Sequence, residues 1–209
     1  MPQTLKRIIT PEGYVARLAP VLPPSTEELF EYERTMLAEK RLAPVEMFDR
    51  FLKKLPASGL FILLPPQPAP VANLDWNELM ARMEWSGKIG KNFLASQHLA
   101  DLREAPTVPT VLPDVEDGRA RLNIAPSVSR EAIAHEGRED YTLWRGYIHT
   151  LLFTMVLAHH GLDLLGSRCH ARYVPFLYLS DGKPALSSYW GDYVLPRWGA
   201  PSCGSQLVA

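Results

Sequence analysis

Apolar residues recur at helical spacing twice near the start of the chain. Leu29, Tyr32 and Met36 fall on one face, with Phe30 and Leu37 beside them, while Glu31, Glu33, Arg34, Glu39 and Lys40 remain available to water. Ser25-Thr26-Glu27-Glu28 has the spacing of a capping box, in which hydroxyl and carboxylate each satisfy an orphan backbone N–H. A second stripe, Val45, Phe48, Leu52 and Leu55, follows Pro44, which suits a first helical turn, and Pro56 stops it. Glu46 before Arg50 and Asp49 before Lys53 add favourable i,i+4 pairs. These segments predict an N-terminal helical hairpin.

Gly59–Leu64 is a continuous apolar run between breakers and reads as a buried strand. Pro65, Pro66, Pro68 and Pro70 then impose an extended stretch, a stiff connector and the candidate subdomain boundary, at 65–70, in a single domain over 1–209. Asn73 can cap a helix carrying Leu74, Leu79, Met80 and Met83, and Phe93, Leu94, Leu99 and Leu102 suggest another. Thr107–Val115 and Arg119–Ile124 read as a hairpin turning at Asp117-Gly118, with Pro109 and Pro113 marking an edge strand. Glu131–His135 reads as a short helix. A long core helix is expected from about Thr142 to His160, apolar on most sides and ended near Gly161. Tyr173–Leu179 and Ala185–Trp190 form a second hairpin at Asp181-Gly182. The expected class is α+β: the helical hairpin, one small, mostly antiparallel sheet from the two Asp-Gly hairpins and the 59–64 strand, and the long core helix.

Composition narrows the possibilities. With 46% hydrophobic and 22% charged residues the chain matches the globular average, although its 19 prolines are nearly twice the usual share. Net charge is -1 and the charges are spread over both halves, which removes the usual warrant for nucleic-acid or anionic-membrane binding. Lys6 and Arg7 are not followed by an apolar stretch, so no signal peptide is expected, and 143–158 is too interrupted for a membrane span. Two separated cysteines fit a reducing, cytoplasmic setting.

Few residues carry legible chemistry. His149 and His160 lie three turns apart on the expected helix, about 16 Å along its axis, too far to share one ion. With His159, Cys169 and His170 they match no zinc signature, so no metal or other cofactor is expected. Gly87-Lys88-Ile89-Gly90-Lys91 lacks the spacing of a phosphate loop, and Asp114–Gly118 would need an acid at Ala125 to be a calcium loop. Cys203 is a candidate nucleophile only if a base or helix terminus lowers its pKa; otherwise it is a buried small apolar residue.

The arginines of the C-terminal half stand out. Arg138 follows Gly137, and Gly166 precedes a segment carrying Arg168 and Arg172. Guanidinium forks grip carboxylate or phosphate, and Trp190 and Trp198, with Tyr189 and Tyr193, could form a stacking wall. Structural ion pairs to Asp140 or Asp163 are the competing explanation.

The order PTVLPDVEDG, GRED-YT-LWRG, GSRCHARYVPFLYLSDGKPALSSYW and PRWGAPSCG resembles an uncharacterised bacterial family known as a domain of unknown function. The resemblance covers residues 107–204 and is most specific at GSRC, VP, W and SCG. ALSSYW and YVLPRWG depart from its tryptophan-rich strand and histidine-bearing turn, which argues against a histidine-dependent activity there. It implies bacterial, cytosolic origin and no assigned activity. Two functions are therefore expected as alternatives. One is a binding protein without catalysis, with a protein partner or small anionic ligand held by Arg138, Arg168, Arg172, Trp190, Trp198 and Cys203. The other is an enzyme gripping a small anion with Arg138 and Arg168, with Cys203 as nucleophile.

Overall fold

The computed structural model describes residues 25–94, 98–205 and 207–208; the expectation of no signal peptide falls outside them. Helix α1 (Thr26–Glu39) opens with both halves of the capping box made between Ser25 and Glu28. Its inward face is Leu29, Phe30, Tyr32 and Leu37, joined by the buried carboxylate of Glu33, which accepts the Leu63 N–H at 2.6 Å.

The second arm differs from expectation. Val45–Lys54 is a 3-10 helix, and three residues per turn turn Phe48 and Phe51 inward while Val45 and Leu52 stay exposed. The expected stripe assumed 3.6 residues per turn. Strand β1 (Ile62–Leu64) is fully buried. Helix α2 (Trp76–Ala81) is capped by Asp75 rather than Asn73, since the Asp75 carboxylate accepts the N–H groups of Asn77 and Glu78. Short strands β2 (Glu84–Trp85), β3 (Lys88–Ile89) and β4 (Lys91–Asn92) follow, with Ser86 and Gly87 both at positive φ between the first two. The helix expected over 93–102 is absent among the described residues. Phe93 instead donates to Leu186 O, and Leu99–Asp101 is strand β5.

Strand β6 (Thr110–Leu112) does not form the first Asp-Gly hairpin. It pairs antiparallel with β1 on one side and with β14 (Leu207–Val208) on the other. Gly118 has φ +103 but Asp117 is not at positive φ, so the two residues cannot make a type I′ turn. The Asp117 carboxylate instead accepts from the Arg119 backbone N–H and Nε, and 119–121 continue as a 3-10 turn.

After α3 (Pro126–His135) and β7 (Glu139–Asp140) comes α4 (Leu143–Leu152), all ten residues buried. The long helix expected to His160 breaks here. Phe153 leaves helical geometry at φ -132, ψ 61, and its ring packs against Tyr32 and His149. The Tyr32 hydroxyl donates to the terminal Leu152 carbonyl, and Thr154 bonds back to Thr150 O. A separate turn, α5 (Val156–His159), follows. Gly146 is the close-contact point of α4, because a Cβ there would lie 2.2 Å from Leu164 Cδ2.

Strands β8 (Gly161–Asp163), β9 (Ser167–Cys169), β10 (Tyr173–Ser180), β11 (Lys183–Trp190) and β12 (Trp198–Gly199) build the second sheet, in the order β12-β8-β10-β11-β4, with β9 joining β10 to β5. β10 and β11 pair in register from Tyr173↔Trp190 to Ser180↔Lys183, and both turn residues, Asp181 and Gly182, have positive φ. Strand β13 (Ser202–Cys203) pairs with β7. The protein thus contains both helices and sheets, but the 59–64 strand and the 173–190 hairpin lie in different sheets rather than one.

One buried cluster takes residues from α1, β1, α2, α4 and the sheet, on both sides of the prolines at 65–70. Trp144 Nε1 donates to Pro65 O at 2.9 Å, tying that stretch to α4. A smaller cluster of Ile133, Leu165, Val174 and Ala200 packs α3 against the other face. No described helix is long and apolar enough to cross a membrane.

Candidate functional site: an arginine cleft

The six site residues expected from the sequence fall into separate places. Arg138 is occupied: Nη1 pairs with Asp114, Nη2 donates to Asp114 O and Nε to Ser202 Oγ at 2.8 Å. It borders a cavity of about 480 Å³ that also holds Arg119, Arg121, Glu116, Asp117 and Glu136. Arg121 pairs with Glu116 and Glu136 and Arg119 with Asp117, so this cavity neutralises itself. The ion-pair explanation holds for Arg138, with Asp114 rather than Asp140 as partner. Asp140 pairs with Arg103.

Cys203 lies on β13, fully buried, with Arg145 Nη1 3.9 Å from its sulfur. Burial pushes its thiol up to about 12, and Arg145 offsets this only in part. The sulfur is thus shielded on its strand, whereas a nucleophilic thiolate needs access and a lowered pKa. Cys169 is also a free, buried thiol.

Trp198 is half-buried on β12 against Phe176, Tyr178 and Tyr189, away from the other candidates. Beside this group sits Asp163, which accepts a hydrogen bond from the Tyr189 hydroxyl at 2.9 Å instead of meeting Arg168. Burial pushes the Asp163 carboxyl up to about 7. Between its ordinary value and pH 7 the folded state keeps a proton that the unfolded chain has lost. Its contribution to stability is therefore present at low pH and disappears as pH rises through about 7. His149 works in the opposite sense: burial pushes it down to about 4, so stability falls as pH drops from its ordinary 6.5 toward 4. Asp163→Asn is expected to remove the first dependence, at about 1.4 kcal/mol per pH unit, and to expose the second. Denaturant titrations from pH 4 to 8 check this, and a variant with the parent's pH profile would overturn the assignment.

Arg168 and Arg172 do come together, and Trp190 packs behind them on Arg172 and Tyr173. The two arginines meet at a cleft of about 350 Å³ lined by Leu102, Ser127, Arg130, Arg168, Arg172 and Tyr173, with Gly191 and Asp192 at one end. Local sequence builds each wall. Strand alternation on β9 buries Ser167 and Cys169 and turns Arg168 out. Gly166 lets that strand pass close to α4, since a Cβ would lie 2.8 Å from the Thr142 nitrogen. Arg172 closes the β9–β10 connection, where its carbonyl accepts Gly191 N–H and its guanidinium lies 5.5 Å over the Trp190 ring. Trp190 packs edge-on to Tyr173, and Tyr173 in turn to His170, which stacks on His98.

Arg130 reaches in from α3. Its Nη2 donates to Leu165 O at 2.8 Å, and its buried Nε has no hydrogen-bond partner. Among the described residues no carboxylate lies within ion-pair distance of Arg130, Arg168 or Arg172. The lone lining acid, Asp192, accepts from Trp190 Nε1. Sequence reasoning missed Arg130 and Tyr173. The available signal was that Arg130 has no acid three or four residues away on its own helix. Among the described residues no three histidine, cysteine or carboxylate side chains stand together as a metal set. Comparison with protein-family models, with curated proteins and with solved structures finds no match for the chain.

Proposed function

We propose that this protein is a binding protein without catalysis, and that it captures an anionic group in the cleft of Arg130, Arg168 and Arg172. The observation that carries the reading is the contrast between two arginine clusters. Around Arg138 every cation pairs with a carboxylate, whereas among the described residues none of the three forks of the Arg168 cleft has a carboxylate within ion-pair distance. Like charges so placed repel one another, and an incoming carboxylate or phosphate relieves that repulsion while gaining charge-assisted hydrogen bonds. The enzyme alternative draws less support, since Arg138 and Arg168 line different cavities and Cys203 is buried. A bacterial, cytoplasmic setting stays part of the proposal, resting on the family resemblance of residues 107–204 and on the free thiols.

Citrate and inorganic phosphate, titrated at low ionic strength and followed by calorimetry, test the reading. Saturable citrate binding is expected, weakened about tenfold by Arg168→Ala or by Arg172→Ala and by added salt. Arg138→Gln should leave it unchanged. Absence of binding, or sensitivity to Arg138 but not Arg172, would reject the cleft.

A further inference from the structure

The cleft is bordered by apolar surface that an isolated anion would leave exposed. Leu102 and Tyr173, which line it, are 46% and 40% exposed. Val128 and Tyr193, next in sequence to the lining residues Ser127 and Asp192, are 55% and 66% exposed. Leu102 and Tyr173 share the cleft lining with the arginines, and Ser127 N–H donates to Gly191 O, tying the start of α3 to the end of β11.

We infer that the occupant is an acidic segment of a protein partner, carrying aliphatic or aromatic side chains beside its carboxylates; this rests on the anion-binding reading above. Three observations favour a polypeptide. The lining cations are all arginine, with no lysine. Guanidinium is planar and weakly hydrated, and it matches carboxylates in a two-pronged way, so it tolerates the partial desolvation of a protein interface better than ammonium does. Arginine, tyrosine and tryptophan together are also the residues that dominate the energetics of such interfaces.

Second, the attraction is local. The chain as a whole carries -1, and the cleft itself brings together three arginines. A nucleic acid would need a basic tract following many successive phosphates. A short acidic segment needs only the forks of Arg130, Arg168 and Arg172. Third, the lining offers Leu102 and Tyr173 for burial, which free metabolites such as citrate or phosphate cannot use. In the resulting picture, glutamate or aspartate side chains enter the cleft and their apolar neighbours cover the rim.

The test uses the full chain and capped synthetic peptides. One peptide combines glutamates with leucines, a second replaces the leucines by serines, and a third keeps the leucines and replaces the glutamates by glutamines. The first is expected to bind about tenfold more tightly than the second, and the third should not bind measurably. Leu102→Ser should shrink the difference between the first two while preserving citrate binding. Equal affinity of the first two peptides, with citrate binding intact, would overturn the polypeptide inference and leave the anion reading standing. Tighter binding of oligothymidylate than of the first peptide would overturn it in favour of nucleic acid. Failure of both citrate and peptide would overturn both readings.

Discussion

Val156→Asp is expected to leave the chain unfolded at room temperature. Val156 begins the short helix α5, is fully buried and belongs to the main core cluster. An aspartate there must either stay charged without a partner or take up a proton, and each outcome costs several kcal/mol. The loss of valine packing adds to this. Domains of this size have about 5–15 kcal/mol of stability in all, so the combined penalty approaches the whole. Val128→Asp, at a position 55% exposed in the first turn of α3, is the matched control. It should shift stability by no more than about 0.5 kcal/mol. Circular dichroism with denaturant titration of both variants decides the point. A Val156→Asp protein melting cooperatively near the parent's midpoint would contradict the position of α5 in the core.

The second large effect belongs to a place where two backbones touch. A Cβ on Gly199 would lie 2.1 Å from the Gly118 carbonyl oxygen, and a Cβ on Gly118 would lie 2.9 Å from the Gly199 carbonyl. Neither obstacle is a side chain that can rotate away. The crossing is pinned on both sides, by Asn123 N–H donating to Trp198 O and by the contact of His160 Nε2 with Asp117 O at 2.8 Å. Gly199→Ala should therefore cost about 3 kcal/mol or more, since the 3-10 turn or β12 must move. Gly59→Ala provides the contrast. That glycine has φ +84 but nothing within 4 Å of a Cβ, so only conformational strain of about 1 kcal/mol is expected. Equal denaturation midpoints for the two variants would mean that the chains do not meet at Gly118 and Gly199.

The same contrast between local and distant causes separates what could be read from the sequence from what could not. The capping box at Ser25, the buried run at 62–64 and the turn at Asp181-Gly182 depend on residues within a few positions of one another. The Ser86-Gly87 turn was equally local but went unread, because Gly87 was weighed only as part of a phosphate loop. Asp117-Gly118 carries the same dipeptide as the real turn. There the Asp117 carboxylate goes to Arg119, and β6 finds its partners at 62–64 and 207–208. The apolar run over 142–160 has no internal stop signal. It ends at Leu152 because Tyr32, 120 residues away, takes the Leu152 carbonyl, and because Phe153 turns into the core against that same ring.

The site divides in the same way. That the C-terminal half holds forked cations beside large aromatics follows from the order of residues alone. Which of those cations face a carboxylate does not, because ion pairing depends on distances across the fold. Arg138 is neutralised by Asp114, 24 positions earlier, while Arg168 and Arg172 are joined by Arg130, some forty positions away on helix α3. Hydrophobic spacing and turn chemistry act through neighbouring residues and so remain visible along the chain. Charge compensation acts through space, and only the packing of α3 against Leu165 and Val174 decided that Arg130 lines the same cleft as Arg168 and Arg172.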